Sequence, residues 1–546
     1  ALGEEKQLKD TARKGRGIFE PVNPRYQPQN EQLTSEQKDA VMHALTSKDF
    51  ITVIVGSAGT GKTWSVKEIK EGVTSAGKNF GAFAPSAAAS RGVQREDGFS
   101  NATTIAELLQ SKELQESVKN GVIWVDEAGM VGNKTMNRII DVAKAQNARI
   151  LLTGDTKQHG AVERGDALRV LQQFGGIKPA VISKIQRQKV EDYRKAVGVI
   201  SEGRVEDGYS MLDKMGAIKE SKDFTDLKEK VASEYVQAIK NKEEVLIVAT
   251  THAQGKAVTG TIREQLQKQG KLSDDEKQFT VQKSLTFTDA QKTDAANYAE
   301  GMTIQFHQNV KGGFKRGEKY HVLGKDWRGN VWVGDEKEKK ALPFSEANKF
   351  SVYQTEKLPL AAGDQIRITQ NGFDLQKKRL NNGAILSVKG FTEKGDIIAS
   401  TGKNEVHLSK DYANLTHGYY TTSPASQGKS VNRVIVMQGA ASGKASSKEQ
   451  FYVSASRGKF AISIHTDDKE HLLRGIQRSA HRITATEIGM NRSEMTQRMK
   501  SFELYKVAIS KVKSVMEKGK DMFHSIKNLN QQKHVRPVQI QPVRAK

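Results

Sequence analysis

Cysteine is absent from this 546-residue chain. Disulfides and thiolate metal sites are therefore excluded, which suits a cytoplasmic protein. Long apolar runs are lacking as well. None approaches the roughly 18–20 residues that would span a bilayer, and the N-terminus shows no signal-peptide pattern. An initiator methionine is also missing: the chain begins Ala1-Leu2-Gly3, which reads as a piece of a longer chain or a processed one. Negative charge is in short supply, with 63 acidic against 86 basic residues and a formal net charge of +23. A globular chain this basic is expected to meet a polyanion.

What is present is enough for several cores. Hydrophobic residues make up 36% of the chain, and at roughly 100–200 residues per domain three or four units are expected. Residues 1–32 read as a polar leader with one short helix. From residue 33 to about 181, short β-branched runs (Ile51–Val55, Val122–Val125, Ile150–Leu152) alternate with helical stretches such as Trp64–Glu71. That alternation predicts an α/β fold with a parallel sheet and right-handed crossovers. Val245–Thr250 and Val434–Met437 read as strands of a second such sheet, contributed by residues 182–279 and 406–467. Between them, residues 280–405 carry short strand-like runs at Lys319–Leu323, Asn330–Val333, Gln365–Thr369 and Ala384–Val388. These predict one small inserted β-barrel. Residues 468–546 read as a basic helical tail with a disordered end at Gln531–Lys546.

The strongest chemical signal is Gly56-Ser57-Ala58-Gly59-Thr60-Gly61-Lys62-Thr63, preceded by a strand and followed by a helix. This is the context a phosphate-binding loop requires. Glycines let backbone N–H groups curl toward phosphate oxygens, and the helix N-terminus adds positive dipole. Lys62 is expected to neutralise the β- and γ-phosphates of ATP, and Thr63 to ligate Mg²⁺. A second acid for the metal comes from Asp126, delivered by the apolar run Val122–Val125, and Glu127 beside it can act as general base. Leu151-Leu152-Thr153-Gly154-Asp155-Thr156-Lys157-Gln158 repeats the design of strand followed by polar residues, so Gln158 can touch both γ-phosphate and water. Arg187 and Arg457 are candidates for a transition-state charge clamp. Either one alone reads as an ordinary surface arginine.

Taken in order, these segments resemble one family. The set runs from Gln37 in Leu33–Ala40 through Gly56–Thr63, Ala84–Ala89, Thr103–Ala106, Asp126–Met130, Gly154–Gln158 and Ile185–Gln188 to Ser426–Lys429 and Ser454–Lys459. It resembles the superfamily 1B, RecD-like helicases. Gln158-His159, Tyr193–Val197, Ala290–Lys292, Gln450–Lys459 and Thr466–Asp468 resemble, more narrowly, the C-terminal helicase region of MobF-type conjugative relaxases. The resemblance implies two RecA-like domains sandwiching ATP, with an SH3-like insertion in the second marked by Gly363–Arg367 and Leu380–Gly383. It implies that Gln37 reads the adenine, that Gly428 lies at the nucleotide, and that Arg187 and Arg457 reach the γ-phosphate. It further implies a monomeric motor moving 5′ to 3′ on single-stranded DNA. Ser86, Thr103 and Thr104 fall in matched DNA-contacting motifs, with Thr251, His252, Ser426 and Gln427 as second-domain counterparts. Each of these could instead be a loop or cap residue, and His417 reads more readily as structural than as a DNA contact.

Two departures qualify the resemblance. Conjugative relaxases nick DNA with tyrosines and a metal held by three histidines. The twelve histidines here form no such cluster, and Tyr26 is the one tyrosine before Tyr193. No nicking is expected of this chain; a relaxase domain, if the protein has one, would lie upstream of Ala1. RecD-like helicases often carry a strand-splitting hairpin between the Thr103 and Asp126 motifs, yet only about a dozen helical-looking residues, Gln110–Gly121, are available here. Three readings stay open: the motor of a conjugative relaxase, a RecD-like repair helicase, and a degenerate module for single-stranded DNA binding and secretion recognition. A type IV secretion coupling protein is a candidate partner, and passage into a recipient cell would follow from the first reading.

Overall fold

The computed structural model describes residues 1–334, 338–402 and 404–488. The greater part of the expected basic tail, including its end at Gln531–Lys546, lies outside the described residues. The chain divides into a large unit, Lys6–His481, and a small one formed by Ala1–Glu5 and the chain from Arg482. In the small unit Thr486 donates its backbone N–H to the Glu5 carboxylate at 2.7 Å.

The large unit holds two parallel sheets. The first comprises β1 (Ile51–Gly56), β2 (Phe80–Ala84), β3 (Thr103–Thr104), β4 (Val122–Val125), β5 (Arg149–Gly154) and β6 (Ala180–Ile182) in the order β3-β2-β4-β5-β1-β6. Its central strands read as unbroken apolar runs because helices cover both faces; all four residues of β4 are buried. Register is what builds the site. Val125 pairs with Leu152 and Leu152 with Val53, so the residues that follow β1, β4 and β5 emerge along one edge, where open α/β sheets bind ligands.

The second sheet comprises β7 (Ile218–Glu220), β8 (Val245–Ala249), β9 (Tyr420–Thr422), β10 (Val431–Met437) and β11 (Gly458–Thr466), also parallel, in the order β9-β8-β10-β11-β7. It is completed by residues on either side of the insertion.

The insertion differs from the single barrel expected over 280–405. It contains two larger antiparallel sheets and a two-stranded hairpin, Gly372–Phe373 with Arg379–Leu380. One has six strands, from Lys277–Ser284 to Phe350–Leu360, and the other has five, from Gln365–Ile368 to Leu415–His417. The physical reason is a pair of separate cores. Tyr298, Phe306, Phe314 and Phe350 form an aromatic one, while Ile366, Leu386, Val388 and Leu408 form an aliphatic one. The eleven-residue strand Phe350–Leu360 joins them, with Phe350 in the first core and Leu360 in the second. The insertion is tied down by Asp364, fully buried, whose two oxygens accept from Arg263 of helix His252–Lys268 at 2.9 and 3.0 Å and from Tyr419 at 2.8 Å. Among the described residues no helix is long and apolar enough to cross a membrane.

Candidate nucleotide site between two parallel sheets

Gly56 ends β1, and the loop turns into helix Lys62–Ser75 through Gly59 and Gly61, both at φ +81°. That left-handed backbone is open to glycine. Crowding reinforces it: a Cβ on Gly61 would strike the Gln37 amide, and one on Gly59 would strike Arg187. Lys62 Nζ donates to the carbonyls of Gly56 (2.6 Å) and Ser57 (3.2 Å), and the Thr60 hydroxyl to Ser57 O (3.0 Å). Thr63 sits in the first turn of the helix. Gln37 closes a capping box with Thr34 at the start of helix Ser35–Thr46, and its Nε2 donates to Thr60 O at 3.0 Å. It therefore fastens the phosphate loop to the neighbouring helix.

At the end of β4, Asp126 Oδ1 accepts from the Thr153 hydroxyl at 2.7 Å, and Thr153 Oγ1 in turn accepts from Trp124 Nε1 at 2.8 Å. Burial, then the neighbouring Glu127 charge, lifts the Asp126 carboxyl to about 6, against the Thr153 bond and the Lys62 charge. Glu127 itself adopts a left-handed backbone (φ 49°, ψ 41°), a conformation costing about 1–3 kcal/mol in a non-glycine residue. Beyond β5, Asp155 Oδ2 accepts from Gln158 Nε2 at 3.2 Å. Gln158 is buried, and its Oε1 has no hydrogen-bond partner among the described residues.

The second sheet closes over this edge. Gln427 Nε2 donates to Glu127 Oε2 at 3.0 Å, with Gly428 beyond it at φ +82°. Tyr452, on helix Lys448–Ala455, accepts from the Ala58 backbone N–H at 2.7 Å and donates to Asp155 Oδ2 at 2.8 Å. Arg457 is 1% exposed. Its guanidinium donates to Val453 O (2.7 Å), Lys429 O (3.3 Å) and Ser456 Oγ (2.6 Å). Among the described residues no carboxylate stands within ion-pair distance of it. Burial, then the like charge of Arg187, lowers Arg457 to about 9, and burial also lowers Arg187. Arg187 donates to Ser456 O at 2.9 Å while its own N–H bonds Gly59 O at 3.1 Å. The Glu127 charge opposes both shifts without a direct ion pair, so two desolvated arginines stand together at this edge, where an anion would compensate them.

The donor set fits a nucleoside triphosphate. The glycine cradle, Lys62, Arg187 and Arg457 suit phosphates, and the unpartnered Gln158 Oε1 suits water or a protonated group. No group of three or more His, Asp or Glu that could hold a metal occurs among the described residues. A Mg²⁺ here would be held by Asp126 and Thr63, with the nucleotide and water supplying the other oxygens.

The residues expected on DNA divide. Ser86 Oγ accepts from Ala89 N at 3.1 Å, Thr104 caps helix Ile105–Leu108, and Thr251 caps helix His252–Lys268. Each works as a cap while remaining at least partly exposed. Thr103 is buried and bonded to Glu107, which also takes Arg91. His252 is exposed, with Nδ1 at 3.1 Å from Tyr420 Oη. Ser426 is fully buried, its hydroxyl donating to Ser423 O at 2.7 Å, which shapes the loop before Gln427. Gln427 is committed to Glu127. His417 is structural, bonded to Pro359 O at 2.9 Å. Sequence reasoning missed Tyr452, although it lies inside the Gln450–Lys459 segment, because an aromatic on a buried helix reads as core. The His159–Ser423 bond (2.8 Å), a further link across the cleft, was equally hidden.

Comparison with known proteins follows from this geometry. A family model described as an AAA domain matches residues 32–223. The conjugal transfer protein TraA of Rhizobium radiobacter is 33% identical over 199 residues, covering 36% of this chain and 18% of that protein. The multifunctional conjugation protein TraI of Escherichia coli K12 is 22% identical over 523 residues, covering 84% of this chain and 29% of that protein. The chain thus spans less than a third of the length of these curated relatives. A solved structure of Pif1 helicase from Bacteroides, in complex with ADP-AlF3 and single-stranded DNA, aligns with 86% of this chain and 98% of its own at 15% identity and a TM-score of 0.41.

Proposed function

We propose, for a chain that stands among the superfamily 1B, relaxase-like helicases, that it is an ATP-dependent motor on single-stranded DNA, moving 5′ to 3′ as the helicase part of a conjugative relaxase. One observation carries the reading. Gln427 and Tyr452, on the side of the second sheet, meet Glu127, Ala58 and Asp155, on the side of the first, across one cleft, and the Glu127 charge reaches Arg457 there. A site assembled from two bodies converts a change at the nucleotide into relative movement of those bodies.

In this reading the two parallel sheets are RecA-like domains and the five-stranded sheet is the SH3-like insertion. ATP and its Mg²⁺ supply a phosphoanhydride whose cleavage drives the cycle. Lys62, Arg187 and Arg457 bind and balance its charge, Glu127 takes the proton of the attacking water, and Gln158 orients that water. Gln427 fixes the Glu127 carboxylate from the opposite domain, so the base is correctly aimed only when the cleft is closed. Ser86, Thr103, Thr104, Thr251 and His252 lie along the DNA path. The named roles of the TraA and TraI relatives in conjugation support a place in plasmid transfer, in the cytoplasm of the donor cell, with passage to the recipient. A secretion coupling protein is the proposed partner there, and the motor acts as a monomer.

The test is ATP hydrolysis with and without single-stranded DNA. Wild type should be stimulated by the DNA, and Lys62→Ala should remove the stimulation. Hydrolysis in wild type no faster than in Lys62→Ala would leave only a DNA-binding module. Strand displacement from duplexes with a 5′ or a 3′ overhang tests polarity, with the 5′ substrate expected to react.

A further inference from the structure

The stretch between the Thr103 and Asp126 motifs holds only the short helices Ile105–Leu108 and Lys112–Glu116, so no hairpin there can split a duplex. Another hairpin carries the right chemistry. Gly372–Phe373 pairs with Arg379–Leu380 at the edge of the five-stranded sheet. It is rigid. Asp374, buried between its neighbours, accepts from the N–H groups of Gln376 (2.9 Å) and Lys378 (2.7 Å). Leu375 N bonds His407 O at 2.9 Å, and Asn382 N bonds Asn371 Oδ1 at 2.8 Å across the base. On this frame two apolar side chains stand in solvent, Phe373 at 63% and Leu375 at 55% exposure. Lys377, Lys378 and Arg379 follow directly, all exposed.

Its position matters as much as its composition. Arg379 reaches Glu107 at 3.5 Å, the same carboxylate that holds Arg91 and Thr103. The hairpin is therefore anchored to the first domain beside the residues proposed to line the DNA path. An exposed ring with adjoining cations fits a nucleic-acid base stacked over a phosphate backbone. We propose that the Gly372–Leu380 hairpin is the strand-separating wedge, with Phe373 and Leu375 pressed against the first base pair of a DNA fork and Lys377 and Lys378 holding its phosphates. This rests on the motor reading above.

The experiment uses the full chain and the double variant Phe373→Ala/Leu375→Ala, whose exposed positions leave the core intact. Stacking on a side chain contributes about 1–3 kcal/mol per base, so strand displacement should fall roughly tenfold. Hydrolysis stimulated by single-stranded DNA should stay within about twofold of wild type, since neither residue touches the cleft. F373W should retain displacement. Equal displacement by the double variant and wild type overturns the proposal, and so does a parallel loss of hydrolysis. A second readout needs no hydrolysis: 2-aminopurine at the fork junction should brighten when wild type binds and stay dark with the double variant. Equal signals from the two proteins overturn the wedge. If wild type shows no DNA-stimulated hydrolysis, the motor reading falls, and the 2-aminopurine result still decides whether the hairpin opens the junction.

Discussion

At the scale of single residues, Tyr452 holds the cleft by one oxygen. It accepts from Ala58 N–H and donates to Asp155, which also receives Gln158. Tyr452→Phe keeps the ring in its apolar surroundings and removes both bonds, leaving a buried N–H and a carboxylate short of a partner, a cost of about 1–3 kcal/mol. DNA-stimulated ATP turnover should fall roughly tenfold, with Tm reduced by roughly 2–12 °C, since about 1 kcal/mol shifts a large domain by roughly 2–4 °C. Turnover equal to wild type would reduce Tyr452 to packing. His159 carries a different consequence. It is half-buried against Ser423, and desolvation lowers it to about 4, against the pull of Glu449. Its folded value lies below the unfolded one, so the unfolded chain binds the extra proton. The stability it contributes is present above about pH 6.5 and is lost as pH falls toward 4. Urea midpoints should drop across that window, and His159→Gln should flatten the drop. A midpoint that changes equally in both proteins would assign the loss to other groups.

At the scale of elements, five of the eleven parallel strands were legible, and the division of the insertion was not. Val122–Val125 was read to the residue, because a strand buried on both faces is an apolar run between polar ends. The insertion's strands each bury one face, and Phe350–Leu360 serves two cores at once. No local pattern announces that division. What couples the insertion to the second sheet is a buried ion pair, Arg263 with Asp364. Removing one partner of a buried pair costs about 3–5 kcal/mol because the other is left uncompensated. Asp364→Ala should therefore lower the urea unfolding free energy toward the lower end of that range, since Glu276 still faces Arg263 at 2.6 Å. Replacing both partners, Arg263→Met with Asp364→Leu, should recover part of the loss, because the Tyr419 hydroxyl and the Ala361 N–H still lose their acceptor. Failure of the double variant to recover would mean that the pair specifies the insertion's position as well as balancing charge.

At the scale of the whole molecule, the site is a contact between distant parts of the chain. The phosphate loop, Asp126, Glu127 and Gln158 were legible because each follows its own strand. The links that close the cleft join residues far apart: 394 positions separate Ala58 from Tyr452, 300 separate Glu127 from Gln427, and 264 separate His159 from Ser423. Spacing in sequence carries no trace of such meetings, and only the fold reveals them. The charge excess, by contrast, was visible from composition and makes a demand on the complete chain. A net charge of +23 could serve solubility alone or could track a phosphate backbone, and salt separates the two. Binding to single-stranded DNA that neutralises on the order of five phosphates should give a slope of log affinity against log salt of about −3 to −4. Lys377→Ala/Lys378→Ala should make that slope shallower by about 1.4–1.8 on forked DNA if each lysine holds a phosphate, and should leave it unchanged on a short single strand that does not reach the hairpin. A slope near zero for wild type would sink the backbone-tracking reading. A slope unchanged by the lysine variant on forked DNA would remove those two lysines from the path while leaving the motor intact.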